Sequence, residues 1–147
     1  MSTMVSQWEV IPWGNAKMGA DGTVTCQHGA SECEGNKLQA CAQAHNPNIS
    51  VQMDLFRCMG AAYPASVTDA QACAVAAGMD WASIEACYGG AEGTALIDSN
   101  YKRTAALNPP HAGVPWIVVN DVPLDDRDAL LGAICDAYVG AKPACCP

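Results

Sequence analysis

The residues best suited to chemistry in this 147-residue chain are its nine cysteines, three of which lie close together at 26, 33 and 41. There the sequence runs Cys26-Gln27-His28-Gly29-Ala30-Ser31-Glu32-Cys33-Glu34-Gly35-Asn36-Lys37-Leu38-Gln39-Ala40-Cys41. One reading is a zinc site with Cys26, His28, Cys33 and Cys41 as soft ligands. Eight helical residues span about 12 Å, so sulfurs at 33 and 41 reach one ion poorly. A second reading is structural cystine. The same rise forbids a bond from Cys33 to Cys41, because bridged Cα atoms lie within about 7 Å. At least one of the two then needs a distant partner or stays free. Cys58, Cys73 and Cys87 are candidates, as is Cys135, and connectivity cannot be read from spacing. Cys145-Cys146 is a vicinal pair in a Pro-flanked tail, where a ring between neighbours would be strained. An odd count leaves at least one thiol over. His28 and Glu32 flank a helix start and are expected to make local capping contacts.

A cysteine density of this kind suits maturation where disulfides persist. Asn48-Ile49-Ser50 is an N-glycosylation sequon, consistent with that route. The formal net charge of -8 argues against nucleic-acid partners, whose phosphates require Lys and Arg. It also argues against anionic membrane surfaces. No run approaches the roughly 20 apolar residues of a membrane span. The first residues show neither a basic n-region nor an apolar h-region.

These residues must be positioned by a mixed set of elements. Residues 8–13 predict a short strand ending at Pro12, followed by a polar loop over 14–25. A helix over 32–44 carries Leu38 and Cys41 toward the core and ends at Asn46-Pro47-Asn48. A second, over 51–63, has Met53, Phe56 and Met59 at spacings of three and stops at Pro64. Ser66 caps a third through Ala77, with Asp69 completing a capping box. Asp80 caps a short fourth helix through Cys87, and a longer fifth spans 91–107. The period then changes: 115–120 is β-branched and aromatic, a strand. Asp121 turns the chain so that 122–124 pairs back. Asp125 caps a last helix over 126–139, whose stripe is Leu130, Leu131, Ile134, Cys135 and Tyr138.

The cysteine block matches C-Q-H-G-x2-E-C-x2-N-x4-C at Cys26, Gln27, His28, Gly29, Glu32, Cys33, Asn36 and Cys41. That signature resembles the gamma-interferon-inducible lysosomal thiol reductase family. Three further segments are similar to the family's, in the same order: Pro12-Trp13-Gly14-Asn15-Ala16, Arg103-Thr104-Ala105-Ala106-Leu107-Asn108-Pro109-Pro110-His111 and Val114-Pro115-Trp116-Ile117-Val118-Val119-Asn120. The resemblance runs from about residue 9 to about residue 138. It implies an α/β, thioredoxin-like fold with a helical cysteine-rich insertion. Residues 1–147 would form a single domain, 32–107 mainly its insertion and 114–139 its closing strand-strand-helix unit. It implies a thiol-disulfide oxidoreductase that reduces disulfide-containing protein substrates, in the lysosomal or endosomal lumen or outside the cell. It implies no cofactor and no metal. Val114 and a cis Pro115 would form a substrate groove that holds an extended chain by β-augmentation.

The family's catalytic pair is a Cys-x-x-Cys whose first thiol has a lowered pKa. No Cys-x-x-Cys occurs in these residues. The similarity begins at the second strand, so the expectation is a chain without the first strand and first helix. By itself it should be inactive or impaired. A central strand buries about five side chains, on the order of 10 kcal/mol, comparable with whole-domain stability. A marginal fold is therefore expected. The rival reading is a non-catalytic, disulfide-stabilised binding module for extended or cysteine-containing polypeptides.

Overall fold

A computed structural model describes residues 4–63 and 65–146. It holds six α-helices, two small antiparallel sheets and four disulfides. The helix stop expected at Pro64 falls outside the described residues. The chain divides into two compact units, Val10–Leu107 and a second made of Met1–Glu9 with Asn108–Pro147.

The larger unit opens on a hairpin of β1 (Lys17–Met18) and β2 (Val24–Thr25), with Lys17 opposite Thr25. Five helices follow: α1 (Ala30–His45), α2 (Ile49–Ala61), α3 (Val67–Ala76), α4 (Trp81–Gly89) and α5 (Ala91–Ala105). Helix α1 is the hub, packing against α2, α3, α4 and α5. Breakers and caps set the boundaries. The Asn48 side chain caps α2 by accepting from the Ser50 N–H. Ser66 and Asp69 close a reciprocal capping box on α3. The Asp80 carboxylate caps α4 by accepting from the Ala82 N–H. One apolar cluster joins Leu38, Cys41, Leu55, Met59, Ala70, Cys73, Ile84 and Cys87. A smaller one gathers Trp13, Ala40 and Ile97.

Helix α5 can approach because Gly93 has no side chain. A Cβ there would lie 2.6 Å from the Cys87 carbonyl oxygen and 3.1 Å from Cys41 Sγ.

In the smaller unit β3 (Val118–Val119) pairs with β4 (Val122–Pro123) across Asn120 and Asp121, at φ 47° and 66°. Two successive positive φ values match the twist that a two-residue hairpin requires. The Leu124 N–H donates to the Ile117 carbonyl and extends the pairing. A 3-10 turn, Arg127–Ala129, leads into α6 (Leu130–Ala137). The peptide bonds before Pro109 and Pro115 are cis.

Four expectations are corrected. Residues 8–13 form no strand, for a reason given below. The 14–25 loop contains the β1–β2 hairpin. In α2 the buried stripe is Gln52, Leu55 and Met59, while Met53 lies exposed. Asp126, not Asp125, caps the turn before α6, and Leu131 of its stripe is exposed.

Candidate functional site

The signature residues order the turn into α1, and two of them, Gln27 and Asn36, join a clamp on the chain segment that precedes them. Cys26 and Cys33 bond to each other with Cα atoms 5.6 Å apart, closing the turn into α1. This overturns the four-ligand zinc reading, because neither sulfur is a free thiolate and Cys41 is bonded elsewhere. Gly29 stands at the N-cap of α1 with φ 93°, a backbone conformation that side chains disfavour. Glu32 reaches back from the first turn, its carboxylate accepting from the His28 backbone N–H at 2.6 Å. The same oxygen lies 3.2 Å from His28 Nδ1. The His28 ring meets Tyr63 edge-on at 5.9 Å.

The amides hold the backbone. Asn36 Nδ2 donates to the Trp13 carbonyl at 3.1 Å, and Asn15 Nδ2 donates to Gln27 Oε1 at 2.8 Å. Gln43 Nε2 donates to the Val10 carbonyl at 2.9 Å. Buried Asn100 donates to the Pro12 carbonyl at 3.0 Å from α5. Carbonyls at 10, 12 and 13 thus receive side-chain amides from α1 and α5. A strand ladder would occupy those acceptors, which is why this apolar run is not a strand. Trp13 is buried and stacks obliquely on Tyr101, 5.5 Å between centroids. Asn15, from the Pro12–Ala16 segment, belongs to this clamp, as do Gln43, Asn100 and Tyr101, which as single polar or aromatic residues carry no signal of it in the sequence.

The remaining cysteines are staples. Cys41 bonds Cys87, tying α1 to α4; Cys58 bonds Cys73, tying α2 to α3; Cys135 bonds Cys146, tying α6 to the tail. No vicinal ring forms. Cys145 is the free cysteine, exposed, with its sulfur 3.9 Å from Met4 Sδ. Cys41, Cys87 and Cys135 are almost wholly buried, so none is placed to attack a substrate in this state. Val114 and Pro115 both lie at the surface of the smaller unit, with Val114 48% exposed. The Trp116 indole N–H is buried there without a hydrogen-bond partner. Asn48 is exposed.

Few carboxyls here are tuned. Hydrogen bonds from the Ser66 hydroxyl and backbone hold Asp69 below the usual carboxylate value, and the Ser83 hydroxyl does the same for Asp80. Burial pushes the Tyr88 phenol up. All three are capping or packing groups, and none forms an acid–base pair.

What fold and site define is a disulfide-stapled helical unit whose signature residues organise structure rather than expose a nucleophile. The family model described as gamma interferon inducible lysosomal thiol reductase (GILT) matches residues 2–77. The chain is 36% identical over 140 residues to a gamma-interferon-responsive lysosomal thiol protein of Arabidopsis thaliana, covering 92% of this chain and 58% of that protein. It is 36% identical over 158 residues to the gamma-interferon-inducible lysosomal thiol reductase of Carassius auratus, covering 94% and 58% respectively. The reductase of Mus musculus matches at 35% over 142 residues, covering 93% and 57%. The chain therefore belongs to the GILT family. It spans somewhat under three-fifths of the length of these relatives. Among the described residues no helix is long and apolar enough to cross a membrane.

Proposed function

We propose that the chain serves thiol-disulfide exchange on protein substrates, as the substrate-side and disulfide-stapled part of a GILT-type thiol reductase. The observation that carries this reading is the ordered signature block, in which the fixed positions have structural roles at the turn into α1 or as staples, in a chain of that family. The names of the relatives support a lysosomal thiol reductase. Four disulfides fit maturation and work in an oxidising lumen, endosomal, lysosomal or extracellular.

In this reading the whole forms one thioredoxin-like domain, with residues 32–107 as its helical insertion and 114–139 as its closing unit. Exposed Val114 and Pro115 offer backbone to an extended substrate. Asn48, solvent-facing beside Ser50, is a glycan acceptor. The attacking thiolate comes from a Cys-x-x-Cys, which these 147 residues do not contain. The exchange itself is ordinary: a thiolate attacks a substrate sulfur, the other substrate sulfur leaves as thiolate, and a second thiol resolves the mixed disulfide.

Insulin reduction with dithiothreitol tests this. The chain alone should give no turnover above background. The chain preceded by a family-type segment bearing Cys-x-x-Cys should turn over. No turnover by the extended, folded protein would overturn the reductase reading and favour a binding module. Turnover by the 147 residues alone would overturn the assignment of the attacking thiol.

A further inference from the structure

We propose that opening the Cys41–Cys87 disulfide converts it into a zinc site, with Cys41, Cys87, His45 and Glu92 as the four ligands. Cys41 and His45 are four residues apart on α1 and share a face. Cys87 stands near the end of α4 and Glu92 in the first turn of α5. The ligand atoms of His45, Cys87 and Glu92 all lie within 4.8 Å of one another. His45 Nε2 is 3.2 Å from Glu92 Oε2. Tetrahedral zinc with Zn–S near 2.3 Å and Zn–N or Zn–O near 2.0–2.1 Å separates its ligand atoms by about 3.3–3.8 Å. The imidazole and carboxylate are already at that spacing. Cys41 Sγ, 2.02 Å from Cys87 Sγ while bonded, stands outside that three-residue set and has to swing toward it once the bond is broken.

The donor set is two thiolates, one imidazole and one carboxylate. It suits zinc and is too soft for calcium or magnesium. The sulfurs lie buried, whereas the side chains of His45 and Glu92 are 33% and 52% exposed, so metal has an approach from solvent. The chemistry balances with a dithiol as reductant. Two electrons break the S–S bond, each sulfur gains a proton, and the dithiol closes to a cyclic disulfide. Zinc then displaces both protons. The metal takes over the link between α1 and α4 that the covalent bond supplied.

The full chain is reduced with dithiothreitol, desalted anaerobically and titrated with Co²⁺ and Zn²⁺. Thiolate-to-cobalt charge-transfer absorption and elemental analysis report binding. One tight equivalent is expected in the reduced chain and none in the oxidised chain. His45→Ala should weaken it by at least about tenfold, the equivalent of one lost favourable contact. His45→Cys should retain it, and a Cys26→Ser/Cys33→Ser variant should leave it unchanged. A far-UV circular dichroism spectrum matching the oxidised chain accompanies each reduced, zinc-loaded sample. Absence of binding, binding indifferent to His45→Ala, dependence on Cys26 and Cys33, or a reduced chain that stays unfolded with zinc each overturns the proposal.

Discussion

Replacing Gly93 by Ala sets two helical effects against each other, and the structure says which prevails. In an exposed helix interior the change stabilises by about 1 kcal/mol. Here the new Cβ would stand 2.6 Å from the Cys87 carbonyl oxygen, 2.6 Å from Lys37 Cε and 3.1 Å from Cys41 Sγ. The lysine can swing away, but a carbonyl at the end of α4 cannot. Relief requires α5 to retreat by several tenths of an ångström from α4. Overpacking of this kind costs about 1–3 kcal/mol, leaving a net loss of about 1 kcal/mol after the helical gain. For a unit of this size that lowers Tm by about 4–8 °C. Gly60 of α2 is the control, since nothing lies within 4 Å of its added Cβ. Gly60→Ala should raise Tm or leave it unchanged. Thermal melts of the oxidised chain followed by circular dichroism compare the two. A Gly93→Ala variant melting at or above the parent would refute the close-approach argument. The parent melt also bears on the marginal fold expected from the sequence. The unit Val10–Leu107 has its own apolar core and three internal disulfides, which argues for a cooperative transition.

Other substitutions probe the clamp, the cap and the staples. Asn100→Ala strands the Pro12 carbonyl and should cost about 1–3 kcal/mol in urea unfolding. Ser66→Ala should cost about 1 kcal/mol of stability near neutral pH. Because Ser66 holds the Asp69 carboxyl below its usual 3.8, that pair's contribution is full above pH 3.8. It fades as pH falls through the lowered folded value, so parent and variant melts should converge in acid. Paired Cys→Ala replacements should rank by loop length. Cys41/Cys87, 46 residues apart, should cost about 4 kcal/mol, Cys58/Cys73 at 15 about 3, and Cys26/Cys33 at 7 about 2. Urea midpoints at fixed pH would show that order or contradict it.

Helix ends were largely legible because their punctuation is chemical. Asn46-Pro47, Gly78, Gly89-Gly90 and Asn108-Pro109-Pro110 break helices for reasons local to each residue. Ser66 with Asp69 and Asp80 are caps visible from spacing alone. The β3–β4 hairpin followed from a β-branched run and an Asn-Asp turn. The 8–13 run misled because its apolar pattern fits a strand equally well. Its carbonyls are claimed by Asn36, Gln43 and Asn100, 23, 33 and 88 positions away, and such long-range pairings leave no local trace. The β1–β2 hairpin hid in polar residues, with Asp21-Gly22 its one turn cue. In α2, whether Met53 or Leu55 faces inward is decided by packing against α1 and α3, which periodicity does not encode. For the cysteines, helix rise excluded Cys33–Cys41 and required at least one of the two to find a distant partner or stay free, but nothing in the spacing said which, or chose among Cys58, Cys73 and Cys87.

The Cys41–Cys87 bond encloses every connection from the end of α1 to the start of α4, with Cys58–Cys73 nested inside it. A protease that cuts at 46–48, 62–66 or 77–80 therefore opens a loop without shedding mass. In a compartment rich in hydrolases such a nicked chain keeps its outline, and the damage shows on a gel only after reductant is added.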